Sequence, residues 1–240
     1  MDALTFGRLH HFDRLDRWLL LLSIASSAAY TATRAAQPFP GSVVLKALGM
    51  APLAVLAWRV LSKANRAGDA RILAIALALS CLGDVVLHLD ARRYFVYALT
   101  AFLLAHLAYI LLFTRNCPRP LRPSAGQLIV AALVVIYGLV VCASLWTALG
   151  RLLIPTLAYA CAITAMVIST ILAGFSRPHV VIGALLFLIS DSLIAAGRFR
   201  MSAPLTPLLI WPTYYLGQYG ITVGFLREKA AADRSPAFSG

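Results

Sequence analysis

Eight apolar stretches of roughly 20 residues each, the length an α-helix needs to cross the ~30 Å hydrocarbon core of a bilayer, run through this 240-residue chain near 17–36, 42–62, 71–90, 94–114, 127–147, 151–173, 179–197 and 205–226. That pattern leaves little choice of fold. In lipid a backbone must satisfy its own hydrogen bonds, which admits only helices and closed barrels, and the alternation of a barrel strand is absent. The expected fold class is therefore all-α, a polytopic membrane bundle of eight transmembrane helices. Connections are short and punctuated by Pro, Gly or Arg, as between Arg115 and Arg122, so one domain over 17–226 is expected. A cytoplasmic segment 1–16 precedes it, and a disordered cytoplasmic tail 227–240 follows. With 61% hydrophobic and 12% charged residues and a mean hydropathy of +0.83, the chain cannot cover a water-facing surface.

The 21 Lys and Arg against nine Asp and Glu give a formal charge of +12, yet these cations sit between apolar blocks, where they report topology and not a nucleic-acid groove. Apart from Lys46, 14 fall in the N-terminal segment, the even-numbered loops and the C-terminal tail, against six in the odd-numbered loops. Both termini are therefore expected in the cytoplasm, the natural setting being a bacterial inner membrane. Residues 1–17 carry charges of both signs and no cleavage-type site, so the first block reads as a retained helix. Trp18, Trp58, Trp146 and Trp211 fall near block ends and read as interfacial anchors, Trp211 sitting deepest. Cys81, Cys117, Cys142 and Cys161 show no paired spacing.

An ionisable group near the bilayer centre costs about 2.5–3.5 kcal/mol even on the lenient insertion scale. Asp84, Asp191, His106 and Lys46 lie well inside blocks, whereas Arg34, His88 and Asp90 lie at block ends. Asp84 is 13 residues after Arg71 and Asp191 is 12 after His179, so both carboxyls sit at similar depth. The stretch Gly83-Asp84-Val85-Val86-Leu87 echoes Ser190-Asp191-Ser192-Leu193-Ile194 four helices later, which suggests two four-helix halves. Helical spacing adds Ser80 beside Asp84, places Tyr109 beside His106, and groups Tyr214, Tyr215 and Gln218. The expectation is one shared polar cavity in which two carboxyls hold their protons unequally, an acid and an anion side by side. Pro52, Pro155, Pro207 and Pro212 are expected to kink their helices around it. No G-x-S-x-G elbow or H-E-x-x-H pair is present. A metal held by Asp84, His88 and His106 is a minor alternative, and no cofactor is called for.

Five segments together resemble the lysoplasmalogenase, or YhhN-like, family of eight-helix membrane proteins. They are Lys46 early in the second block, Ser80-x-x-Gly83-Asp84-x-x-Leu87, Ala105-His106-x-x-Tyr109, Gly183-Ala184-x-x-Phe187-x-x-Ser190-Asp191-x-x-Ile194-Ala195, and Tyr214-Tyr215-x-x-Gln218. The likeness runs almost end to end. It departs at Ala47 and Gly217, where the family pattern favours Pro and Ala.

The resemblance implies hydrolysis of the vinyl ether bond of lysoplasmalogens to a fatty aldehyde and a glycerophospho-choline or -ethanolamine, with lysophospholipid or ether lipid as substrate, membrane lipids as surroundings and no nucleic acid. A vinyl ether first takes a proton on carbon, and the resulting oxocarbenium ion is captured by water. That step needs a desolvated acid and a nearby anion. Asp84 and Asp191 are the expected catalytic pair, in either order, with His106 shuttling protons or orienting water. Tyr109, Tyr214, Tyr215 and Gln218 are expected to bind the glycerol or water, Lys46 the lipid phosphate, and Ser80 and Ser190 to support the carboxyls. The rival reading is a proton-coupled transporter, since buried Asp and His in a two-half bundle suit alternating access as well; a second is a metal-dependent lipid hydrolase.

Overall fold

The computed structural model describes residues 12–39, 41–199 and 206–232, and the regular structure among them is helical. Eight α-helices follow in chain order: α1 (Arg14–Ala32), α2 (Ser42–Lys63), α3 (Ala67–Leu89), α4 (Phe95–Arg115), α5 (Ala125–Leu145), α6 (Leu153–Leu172), α7 (His179–Phe199) and α8 (Thr206–Ala232). Six of them, α2 to α7, are long and apolar enough to cross a membrane, and this makes the chain a multi-pass membrane protein. The other two carry more polar side chains, and these are turned inward: Ser23, Ser26 and Ser27 of α1 and Tyr214, Tyr215 and Gln218 of α8 are all buried.

Local chemistry sets the helix ends. Asp13 and Asp16 cap α1 reciprocally, Asp16 N–H donating to Asp13 Oδ1 at 2.9 Å and Asp13 N–H to Asp16 Oδ2 at 3.2 Å, so the helix starts three residues before the apolar block. Ser124 and Gln127 form the same box on α5. Beyond 226, α8 continues as helix to Ala232 in place of the expected disorder; the remainder of the tail and residues 1–11 lie outside the described residues. Pro52 and Pro212 lie inside helices. Pro155 and Pro207, expected to kink theirs, occupy first turns, where a missing N–H costs no helical hydrogen bond.

The helices pack as two runs of consecutive neighbours, α1 to α4 and α5 to α8, joined where α4 meets α6 and where α1 and α2 meet α8. Side-chain bonds tie one end together. Arg59 and Lys63 at the end of α2 bind Asp13 and Asp16. Asn116 after α4 reaches Asp69 of α3, and Ser176 before α7 bonds Glu228 of α8 at 2.9 and 2.8 Å. Both ends of the described chain lie there; the site opens at the opposite end. Trp18, Trp58 and Trp146 are about half exposed, as anchors should be, but Trp211 is 5% exposed and belongs to the interior.

The α7–α8 contact is close because both backbones are bare at the crossing. A Cβ on Gly183 would meet Gly217 O and Ile221 N at 2.6 Å, and one on Gly217 would meet Gly183 O at 2.8 Å. Close approach of this kind is how membrane helices gain packing energy when no hydrophobic drive separates them from lipid. It also accounts for the departure at Gly217, which lies at this crossing. Gly183→Leu should lower stability by about 2–3 kcal/mol or more and Gly217→Ala by less, read as a falling Tm in detergent; wild-type melting of Gly183→Leu would show that the crossing is not tight.

Candidate active site

Lys46, one turn into α2, is followed by small and apolar residues that let the side chain bend toward α3. Its Nζ lies 3.1 Å from Asp84 Oδ1 and donates to the Asp84 carbonyl at 3.2 Å. Asp84 is 3% and Lys46 8% exposed, so each charge supplies the counter-charge without which the other could not stay in lipid. Asp84 Oδ2 has no hydrogen-bond partner, and the Tyr214 hydroxyl neighbours the carboxyl. The pair lines a cavity of about 720 Å³, within the size range of small-molecule sites. Trp211 forms one wall with its ring 5.3 Å from Lys46 Nζ, fixed by indole donation to Ser27 Oγ at 3.0 Å. His88 forms another, bonded to Tyr30 Oη at 3.1 Å and Ser42 Oγ at 2.7 Å. Leu87, Phe95, Phe102, Ile194 and Ile210 complete an apolar side.

Asp191 is not in this cavity, contrary to the expectation of one shared pocket. Tyr159 of α6 donates to its Oδ2, and His106 Nε2 of α4 is 3.8 Å from the same oxygen, beyond hydrogen-bond range. His106 is enclosed by the rings of Tyr159 and Phe187, with centroids 5.1 and 4.9 Å away. Asp191 lines two small apolar pockets. One of them shares Leu87, Phe95, Phe102 and Ile194 with the Asp84 cavity, so a thin apolar partition divides the carboxyls. The physical reason is that each Asp is captured by a polar side chain of the preceding helix, Lys46 for Asp84 and Tyr159 for Asp191. Each also meets a group from the last helix of the other run, Tyr214 of α8 and His106 of α4.

The remaining expected residues divide in two. Tyr109 Oη donates to Gln218 Oε1 at 2.5 Å, while Gln218 Nε2 donates to Ser80 Oγ at 3.1 Å and to Tyr214 Oη at 3.4 Å. Ser80, Tyr109, Tyr214 and Gln218 thus form one buried network beneath Asp84, and only Tyr214 of the four lines the cavity. Ser190 donates to Ile210 O at 3.0 Å. Tyr215 bonds Ser23 at 2.9 Å, and Ser23 bonds Gly49 O at 2.6 Å. These two fasten α8 to α7 and to α1 and α2, and neither lines the Asp84 cavity or the two Asp191 pockets. Lys46, expected to meet the lipid phosphate, pairs with Asp84 in the cavity wall. Asp84 pairs with Lys46, His88 bonds Tyr30 and Ser42, and neither ring nitrogen of His106 has a hydrogen-bond partner; no group of three His, Cys, Asp or Glu among the described residues could hold a metal.

Sequence reasoning missed Tyr159, Trp211, Tyr30, Ser42 and the cavity role of His88. Tyr159 was findable, being a hydroxyl in mid-block that needs a partner; the others gain meaning only from neighbours distant in sequence. The pair geometry makes a direct prediction. Lys46→Met leaves a buried carboxylate alone and should cost about 3–5 kcal/mol, whereas the Lys46→Met/Asp84→Asn double variant should recover most of it, measured by thermal melting in detergent. A double variant as unstable as the sum of its singles would refute the coupling.

Residues 41–225 match the profile of the YhhN family. The chain is 36% identical over 174 residues to the lysoplasmalogenase of Mycobacterium bovis, a match that covers 70% of this chain and 66% of that protein, just under two thirds of its length. It is 33% identical over 187 residues to lysoplasmalogenase TMEM86B of Homo sapiens, covering 78% and 76%. Against the Rattus norvegicus protein of the same name it is 27% identical over 232 residues, covering 94% and 93%. No solved structure matches. With its profile match running from the start of α2 almost to the end of α8, this chain belongs to the YhhN family.

Proposed function

We propose that the chain hydrolyses the vinyl ether bond of lysoplasmalogens at the Asp84 cavity, releasing a fatty aldehyde and a glycerophospho-base. The observation that carries this reading is a cavity of about 720 Å³ within an apolar bundle, with a buried carboxylate–ammonium pair in its wall and an apolar flank. Proteins similar to this chain bear the name lysoplasmalogenase. None of these bears a transporter's name, so the rival reading draws no support from them.

The reaction runs in three steps. A proton adds to the alkenyl carbon one removed from oxygen, water then attacks the oxygen-bearing carbon of the oxocarbenium ion, and the hemiacetal collapses as its oxygen leaves with a proton. The two Asp environments support a division of roles. Asp84, paired with Lys46, faces the oxocarbenium ion and takes the proton from attacking water. Asp191, held by Tyr159 in apolar surroundings, delivers the first proton once the alkenyl chain parts Phe102 and Ile194 and enters the pocket beyond. His106 is near enough to Asp191 to exchange a proton with it after a small rotation. Tyr214, backed by Gln218, Tyr109 and Ser80, aims its hydroxyl at the ether oxygen or the water; Ser190 and Tyr215 keep α8 in register for it.

This reading takes the bundle as one domain of eight spans with both termini cytoplasmic, the cavity opening outward in a cell membrane. The matching of partners across the two helix runs, Lys46 with Tyr159 and Tyr214 with His106, supports two related halves.

In D2O the wild-type protein should release aldehyde carrying one deuterium on carbon 2, and the saturated 1-O-alkyl analogue should not be cleaved. Asp191→Asn and the charge-balanced Lys46→Met/Asp84→Asn variant should each lose about 100-fold or more in kcat/KM while remaining folded by size exclusion. An unlabelled carbon 2 would rule out protonation on carbon, and near-normal turnover in either variant would remove that carboxyl from the chemistry.

A further inference from the structure

Three arginines from three separate elements line the mouth of the Asp84 cavity: Arg34 from the turn after α1, Arg92 from the α3–α4 connection and Arg198 from the last turn of α7. Two are held in place by neutral partners. Arg34 Nη1 donates to Gln37 Oε1 at 3.1 Å, and Gln37 is fixed by donation to the Tyr30 carbonyl at 2.7 Å. Arg198 Nη1 donates to the Ala91 carbonyl at 2.9 Å, and its guanidinium lies 3.9 Å from the Phe95 ring centroid. Arg92 and Arg198 lie within electrostatic reach of each other.

Among the described residues, none of the three forms an ion pair with a carboxylate. Asp90, the nearest acid in sequence, accepts the backbone N–H groups of Arg92 and Arg93 at 2.8 and 2.9 Å. Asp84, the one carboxylate among the described residues that lines the cavity, is engaged by Lys46. The α1–α2, α3–α4 and α7–α8 loops are on the cation-poor side of the chain, so three of its few cations meet at one opening. Like charges brought together repel unless an anion bridges them, and guanidinium forks match phosphate oxygens two at a time.

We infer that this mouth is a subsite for the phosphodiester of a single-chain lysophospholipid, an inference that rests on the hydrolase reading and orients the substrate within it. The spacing suits that lipid. From Asp84 to Asp90, which caps the C-terminus of α3, is six residues, about 9 Å of helix rise. Five bonds separate the ether oxygen from phosphorus across the glycerol, about 6 Å when extended, and a guanidinium contact makes up the rest. With phosphate at the mouth, the ether reaches Asp84 and the chain continues along Phe95, Phe102 and Ile194. The choline or ethanolamine amine points outward, and among the described residues no carboxylate lines the mouth to select between them. The mouth therefore reads phosphate, not the amine.

Binding without turnover tests this independently of the hydrolase reading. The wild-type protein in nanodiscs of neutral lipid is titrated calorimetrically with a 1-O-alkyl lysophosphatidylcholine and with the alkylglycerol of the same chain length. The phosphate-bearing lipid should bind at least about tenfold more tightly, and Arg34→Gln/Arg198→Gln should erase that advantage while the alkylglycerol keeps its affinity. Equal wild-type affinities for the two lipids, or equal losses for both in the variant, would overturn the subsite. So would inorganic phosphate binding as tightly as the lipid, which would mark a site for the free anion, or an affinity abolished by adding phosphatidylglycerol to the nanodisc, which would mark a site for bulk anionic lipid. Should the subsite hold while no aldehyde is released from any lysoplasmalogen, the hydrolase reading fails and the headgroup site stands.

Discussion

An ammonium and a carboxylate 3.1 Å apart inside an apolar bundle govern most of what surrounds them. Neither charge could stay in lipid alone, and together they hold only where packing excludes lipid and polar groups take up the remaining valences. Much of the interior follows from that need. Trp211 covers Lys46, Tyr214 neighbours Asp84, and the Ser80–Gln218–Tyr109 network supports Tyr214 from beneath. A structure that must enclose such a pair also keeps a water-compatible space beside it, and that space is the cavity.

The second carboxylate is solved differently. Asp191 has a phenol in place of an ammonium, and its surroundings are apolar, with His106 close by but not bonded. Two acids at matching depth on corresponding helices thus acquire opposite electrostatic settings from their nearest partners. The proposed hydrolysis uses the two carboxyls as acid and anion on either side of the partition of Leu87, Phe95, Phe102 and Ile194. In the proposed reaction the polar end of the lipid remains by Asp84 while its apolar chain crosses toward Asp191.

Much of the fold was legible because α2 to α7 announce themselves by length and apolarity, with no information needed from their neighbours. Asp84, Asp191, His106 and Lys46 stood out for the same reason, since a charge in an apolar block is anomalous on its own. What failed was pairing. Lys46 looked like a phosphate ligand because nothing in the chain states that α2 lies against α3 at the level of Asp84. The two carboxyls looked like one site because equal depth says nothing about which way each helix is rotated. Tyr215 and Ser190 shared a helix face or a motif with important residues, yet their hydroxyls serve helix packing. Arg34, Arg92 and Arg198 read as topology signals, which they can be while also converging in space, and convergence of three loops is invisible one loop at a time.

The most direct measurement is an experimental structure of the protein with an uncleavable 1-O-alkyl lysophospholipid bound. The account predicts the ether oxygen within about 4 Å of the Asp84 carboxylate, with the alkyl chain passing between Phe102 and Ile194 toward Asp191. An analogue lying along the outer surface of the helices, with the Lys46–Asp84 pair and the partition undisturbed, would contradict it.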